Sequence, residues 1–126
     1  MIDPAPGAGS LIVVGLGPGD PRLTTPEAAD ALDAATDIVG YDTYVRRVPD
    51  RPGLVKHASD NRVEVERAHH ALELAEMGRR VVVVSSGDPG VFAMAAAVME
   101  AVEADPARFA GLDIRVVPGI SAMFAA

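Results

Sequence analysis

Ser85-Ser86-Gly87-Asp88-Pro89-Gly90-Val91-Phe92 joins two segments of opposite character. Upstream, Arg80 to Val84 carries four consecutive valines. That is the short, uninterrupted β-branched run expected of a strand buried on both faces of a parallel sheet. Downstream, Val91, Ala95, Val98 and Val102 recur at helical spacing. Between the two, a pair of glycines and a proline force a sharp turn with no bulky side chain in the way. In open α/β sheets ligands bind at the carboxyl ends of strands, and Asp88 is the one charge placed there. The turn therefore reads as half of a ligand site.

The rest of the chain repeats this pattern. Met1 to Ser10 is rich in proline, glycine and alanine and reads as a loose lead-in, with one domain over residues 11–126. Leu11 to Leu16 reads as a buried first strand, and Gly17-Pro18-Gly19-Asp20-Pro21 as a loop, since two prolines continue neither regular structure. A helix follows, capped either by Thr24 with Glu27 or by Thr25 with Pro26 in the first turn, and Ala28, Ala31, Leu32 and Ala35 form its buried stripe. A short strand, Asp37 to Gly40, leads to Tyr41-Asp42-Thr43-Tyr44, and Leu54 to Lys56 reads as a brief third strand. Asn61 is placed to cap a helix that turns Val65, Ala68, Leu72 and Ala75 inward and ends at Gly78. The helix from about Val91 to Glu103 is closed by Pro106, and Asp113 to Val117 is a last strand.

Strands alternating with helices give an α/β domain with a mostly parallel sheet flanked by helices. Right-handed crossovers then bring the loops of Pro18, Asp42, Asp88 and Pro118 to one edge of that sheet.

Composition narrows the function. The 126 residues carry a net charge of −7, which argues against a nucleic-acid partner, because neutralising phosphates takes clustered lysine and arginine. With no cysteine there is no disulfide frame, thiolate metal site or cysteine nucleophile. The longest apolar run, Val91 to Met99, is far short of the ~20 residues that span a bilayer. No leader sequence opens the chain, so a cytoplasmic location is expected. Hydrophobic residues make up 49% and aromatics only 4%, so the core is one of small aliphatic side chains.

Gly15-Leu16-Gly17-Pro18-Gly19 invites a dinucleotide reading, but the sixth position of that fingerprint is Asp20, whose charge opposes a pyrophosphate, and Pro18 removes an amide donor. A plain structural turn explains the glycines but not a second loop of similar chemistry at Asp88. Asp42 suits a general base or a ribose contact, or equally the cap of a short turn. Lys56, the only lysine, suits a carboxylate contact or a proton donor, or simple solvation. His69 and His70 fall beside Glu66 and Glu73 on what reads as an exposed helical face. No set of side chains has the spacing of a metal site or of a Ser-His-Asp triad, so no metal is expected.

Three stretches together carry a resemblance. Val14 to Pro21 with Leu23-Thr24, Ser86 to Phe92, and Val117-Pro118-Gly119-Ile120-Ser121-Ala122 are similar, in order and interval, to three motifs of the tetrapyrrole methylases. Gly40 to Tyr44 and Ser85 to Val91 most resemble members that methylate precorrins in cobalamin synthesis. The resemblance implies a methyltransferase of two α/β domains with S-adenosylmethionine in the cleft between them and S-adenosylhomocysteine as product.

Carried over by motif, Pro18, Ser86, Gly87, Asp88, Val91, Ser121 and Ala122 fall on cofactor-contacting positions. Asp42 aligns with a proposed proton acceptor and Lys56, across a shorter segment, with a proposed proton donor. Relatives often carry a glycine pair before the aspartate, where this chain has Ser86-Gly87. The substrate implied is a tetrapyrrole, a polycarboxylate that the basic stretch Arg46 to Arg62 is suited to meet. The chain matches only the first of the family's two domains, so the isolated chain is expected to be inactive, and exposed half-site loops favour a homodimer. Other readings are a methylase of the same superfamily acting on uroporphyrinogen, rRNA or a diphthamide precursor, or a non-catalytic binding module.

Overall fold

A computed structural model describes residues 9–17, 25–60 and 64–118, Asp88 by its backbone alone. The elements in chain order are β1 (Ser10–Gly15), α1 (Pro26–Ala34), β2 (Asp37–Tyr41), α2 (Asp42–Val45), β3 (Val55–Ser59), α3 (Glu64–Glu76), β4 (Arg80–Ser85), α4 (Asp88–Ala104), α5 (Pro106–Phe109) and β5 (Asp113–Val117). The five strands form one parallel sheet in the order β3-β2-β4-β1-β5.

The valine strand β4 lies at the centre. Val81 and Val83 face a core built with α3, α4 and α5, while Val82 and Val84 face a second core built with α1 and α2. Neighbouring β1 repeats the alternation, with Leu11 and Val13 on the first side and Val14 on the second. These two central strands thus remove apolar surface from water on both faces, which explains their continuous rather than alternating apolar runs.

Local chemistry sets the ends. Thr25 Oγ1 accepts a hydrogen bond from the Ala28 amide at 3.2 Å, and Pro26 takes the first helical position, where its missing N–H costs nothing. Thr24 and Asn61 lie outside the described residues. At the far end of α1, Arg51 Nη2 donates to the carbonyls of Leu32 (2.9 Å), Asp33 (3.2 Å) and Ala35 (2.6 Å), capping the carbonyls at the end of the helix, of which Leu32 O also accepts from the Ala35 amide.

Several boundaries differ from the sequence reading. The third strand runs from Val55 to Ser59 rather than ending at Lys56, because the full length of β2 is there to pair with. Helix α4 starts at Asp88, three residues early, since Pro89 fits a first turn. Pro106 closes that helix by opening α5. In α3 the buried face is Arg67, Ala68, Ala71, Leu72, Leu74 and Ala75, while Val65 points to solvent at 60% exposure. In α4, Val91 and Val98 are core and Val102 packs against it half-buried, as expected, while Met94 and Ala101 add fully buried positions and Ala95 is only half-buried. None of the helices among the described residues is long and apolar enough to cross a membrane.

Candidate functional site

The chain leaves β1 and β2 over one face of the sheet and β3 and β4 over the other, so adjacent β1 and β4 send their loops to opposite sides. Such a switch point opens a crevice beyond the strand ends. The ladder continues just past the strands, with Leu16 N donating to Ser85 O at 2.9 Å and Gly17 N to Ser86 O at 3.1 Å. Gly17 then turns with φ 74°, a left-handed conformation that favours glycine.

The other loops meet the same edge. Val14 pairs with Val117, which sets Pro118 beside the end of β1. Gly40 pairs with Val84, so Asp42, the first residue of α2, stands one strand to the other side of Ser85. Described chain from the four loops thus lines one rim in the order β2, β4, β1, β5. Pro18, Ser121 and Ala122 lie outside the described residues. Ser86 and Gly87 lead into α4 at this rim, and Val91 is fully buried one turn into the helix.

Gly87 is informative. Its backbone is extended (φ −132°, ψ −174°), which any residue adopts, and a Cβ added there would meet no atom of the described residues within 4 Å, its two chain neighbours aside. Neither conformation nor packing among the described residues asks for glycine at that position, whereas a ligand held close against the backbone would. Gly40 is the opposite case, because its Cβ would lie 2.9 Å from Val84 O and 2.8 Å from Val84 Cγ2.

The structure does not bring Lys56 to the rim. It pairs with Ile38 near the start of β2, while Asp42 follows that strand's far end. Its Nζ donates to Val48 O and sits 3.0 Å from Asp50 Oδ1, holding the α2–β3 loop. Asp42 Oδ2 accepts from Arg46 Nη2 within one helical turn. Much of the basic stretch serves the fold: Arg47 Nη2 donates to the carbonyls of Leu16 and Gly17 at 3.3 Å each, tying α2 to the β1 loop, and Arg51 caps α1.

Sequence reasoning missed two groups. Arg67 is only 6% exposed, and a cavity of about 80 Å³ between β2 and β4 is lined by Arg67, Tyr41, Tyr44, Ser85 and Ser86. A larger cavity of about 270 Å³, lined by Arg67, His57, Ser59 and His70, lies towards β3. Burial pushes the Arg67 guanidinium below its ordinary pKa against the opposing pull of Glu64. The signal in the sequence was its place on the apolar stripe with Ala71 and Leu74, four and seven residues on.

The second group is at the amino end of the sheet, where buried Asp37 joins His57 Nε2 (2.8 Å), Arg79 Nε (2.7 Å) and Thr36 Oγ1 (2.8 Å). Among the described residues no three His, Cys, Asp or Glu side chains are grouped to hold a metal ion.

Residues 10–126 match the family described as Tetrapyrrole (Corrin/Porphyrin) Methylases. A precorrin-3B C(17)-methyltransferase of Sinorhizobium sp. is 49% identical over 117 residues, which cover 93% of this chain and 46% of that protein. The crystal structure of the methyltransferase CobJ superposes with a TM-score of 0.86 at 62% identity, over 94% of this chain and 49% of that one. A uroporphyrin-III C-methyltransferase from Thermus thermophilus, solved in complex with S-adenyl homocysteine, superposes at 0.65 and 26% identity over 93% of this chain and 47% of its own. The chain therefore spans about half the length of each of these three proteins.

Proposed function

The chain belongs to the tetrapyrrole (corrin/porphyrin) methylases, and from that premise we propose that it forms the first α/β domain of an S-adenosylmethionine-dependent enzyme of cobalamin synthesis that methylates precorrin-3B at C17. The observation that carries this reading is the 49% identity, over 93% of this chain, to a precorrin-3B C(17)-methyltransferase, with the methyltransferase CobJ superposing over 94% of the chain. The rim geometry is compatible with it, since the β1, β4 and β5 loops rise from adjacent strands.

In this reading Pro18, Ser86, Gly87, Asp88, Val91, Ser121 and Ala122 form one wall of the cofactor site. The open space over Gly87 fits a ligand lying against bare backbone. When bound, S-adenosylmethionine supplies a sulfonium methyl already activated for transfer to carbon. What the chain must add is alignment of donor and acceptor and exclusion of water. Val91, buried beneath the turn, fixes the start of α4 and with it Ser86 and Gly87. Asp42 takes the proton lost from the methylated carbon framework: Arg46 holds Oδ2, and among the described residues Oδ1 has no partner. Lys56 is given the structural role its bonds to the α2–β3 loop describe.

Isothermal titration of S-adenosylhomocysteine into the protein, at the length its relatives have, tests the reading. Micromolar binding is expected, weakened at least tenfold by Asp88→Ala. Absence of binding, or an unchanged affinity in the variant, would overturn it. Methyl transfer from labelled cofactor to precorrin-3B then tests the substrate.

A further inference from the structure

Two polar groups at the rim are buried without the partners that burial demands. Arg67 donates from Nε to Ser59 Oγ (3.1 Å) and from Nη2 to Ser59 Oγ (3.0 Å) and Asp60 O (2.7 Å). All three acceptor contacts are uncharged. Among the described residues no carboxylate lies within ion-pair distance of the guanidinium, and none accepts from Nη1. Ser85, also 6% exposed, has a hydroxyl with no partner among the described residues. A buried cation paired only with neutral oxygens, and a buried hydroxyl left unbonded, each cost free energy that a well-placed anion recovers.

Both groups line the same cavity of about 80 Å³ between β2 and β4, together with Tyr41, Tyr44 and Ser86. No hydrogen bond engages those three side chains among the described residues, so three more hydroxyls are available. The space suits a few waters, and therefore one carboxylate arm. It adjoins the turn at Ser86 and Gly90 on the rim. With a net charge of −7 on the chain, an anionic ligand has to be met by such a local cation rather than by the overall field.

We propose that this cavity is a carboxylate subsite, with Arg67 as its anchor and the Ser85 hydroxyl as a second donor, seating one carboxylate of the ligand held at the rim. Guanidinium is suited to this because its planar fork matches a carboxylate with two parallel hydrogen bonds. Two sources carry that chemistry: a side arm of the polycarboxylate substrate, or the methionine end of the cofactor. Assigning either source rests on the methylase reading; the subsite itself does not. Glu64 also lines the cavity and opposes an anion there, which supplies a test of opposite sign.

Glutarate is the probe, titrated into the purified protein and followed by two-dimensional amide NMR. Saturable millimolar binding is expected, with the largest shifts at Tyr41, Ser85, Ser86 and Gly90. Arg67→Met should weaken binding at least tenfold, Arg67→Lys less so. Glu64→Gln, an exposed change that leaves every bond of Arg67 in place, should tighten it about threefold. Shifts confined to Arg46 and Arg47, full binding by a folded Arg67→Met protein, or an unchanged affinity in Glu64→Gln would each overturn the proposal. Glutarate needs no cofactor, so its failure leaves S-adenosylhomocysteine binding intact as a separate result. Saturating S-adenosylhomocysteine that leaves glutarate in place assigns the subsite to the substrate arm, and displacement assigns it to the methionine carboxylate; both outcomes keep Arg67 as anchor.

Discussion

Asp37 opens β2 as a carboxylate with 2% exposure, and its worth depends on three donors. Burial alone would raise its pKa, but the hydrogen bonds from His57, Arg79 and Thr36, with the charge of Arg79, outweigh burial and hold it below its ordinary value of 3.8. A depressed folded-state pKa means that ionised Asp37 stabilises the fold at all pH values above that ordinary value. The contribution is lost as pH falls through the lower, folded-state pKa. Asp37→Asn should therefore cost roughly 2 kcal/mol at pH 7, since it weakens charge-assisted bonds that span β2, β3 and the start of β4. Urea unfolding of both proteins at pH 7 and again below pH 3 checks this, because the gap between them should close in acid. A gap of equal size at both pH values would mean that the charge contributes nothing. Nothing in Thr36-Asp37-Ile38 distinguishes this aspartate from a solvated one; its partners arrive from residues 57 and 79, and only the sheet order unites them.

At the scale of the element, Gly40 decides how closely β2 and β4 run beneath α2. An added methyl would meet the Val84 carbonyl at 2.9 Å and Val45 Cγ2 at 3.3 Å, and a central-strand carbonyl cannot move aside. Gly40→Ala should cost about 2 to 3 kcal/mol through overpacking. Gly53→Ala is the control: there φ is 83° and a Cβ meets none of the described residues within 4 Å, so only the left-handed backbone is penalised, by about 1 kcal/mol. Denaturant midpoints for the two variants should rank in that order, and equal losses would refute the packing argument. The same elements show what the sequence made legible. The valines of β4 and the proline turn after Thr25 announced themselves, because burial on two faces and first-turn chemistry are both local patterns, and β5 did so through its β-branched Ile114, Val116 and Val117. His57-Ala58-Ser59 carries no β-branched residue, so the second half of β3 exists through pairing with β2, which a local pattern does not contain. In α3 the alanines allow more than one phase for the buried stripe, and the phase adopted exposes Val65 and buries Arg67.

Across the whole molecule, the residues that hold the fold and those assigned to ligand binding largely separate, with Val91 belonging to both sets. The two cores lie between sheet and helices, whereas the rim collects the described ends of the loops that follow β1, β2, β4 and β5. The rim could be read from the sequence because a parallel sheet with right-handed crossovers brings every βα loop to one edge. Arg67 and Ser85 were not legible as a pair, since α3 and β4 must pack before they share a cavity. This separation yields a test at Gly87. Serine there fits the extended backbone and is a better N-cap than glycine, able to accept from the Gly90 amide, so Gly87→Ser should leave stability unchanged or raise it by a few tenths of a kcal/mol. Its side chain would enter the space where, among the described residues, nothing beyond its chain neighbours lies within 4 Å, the space the proposed cofactor site needs. S-adenosylhomocysteine affinity should consequently drop at least tenfold while the thermal midpoint holds. Retained affinity would remove Gly87 from the wall of the site, and a lost midpoint would show that the rim supports the fold after all.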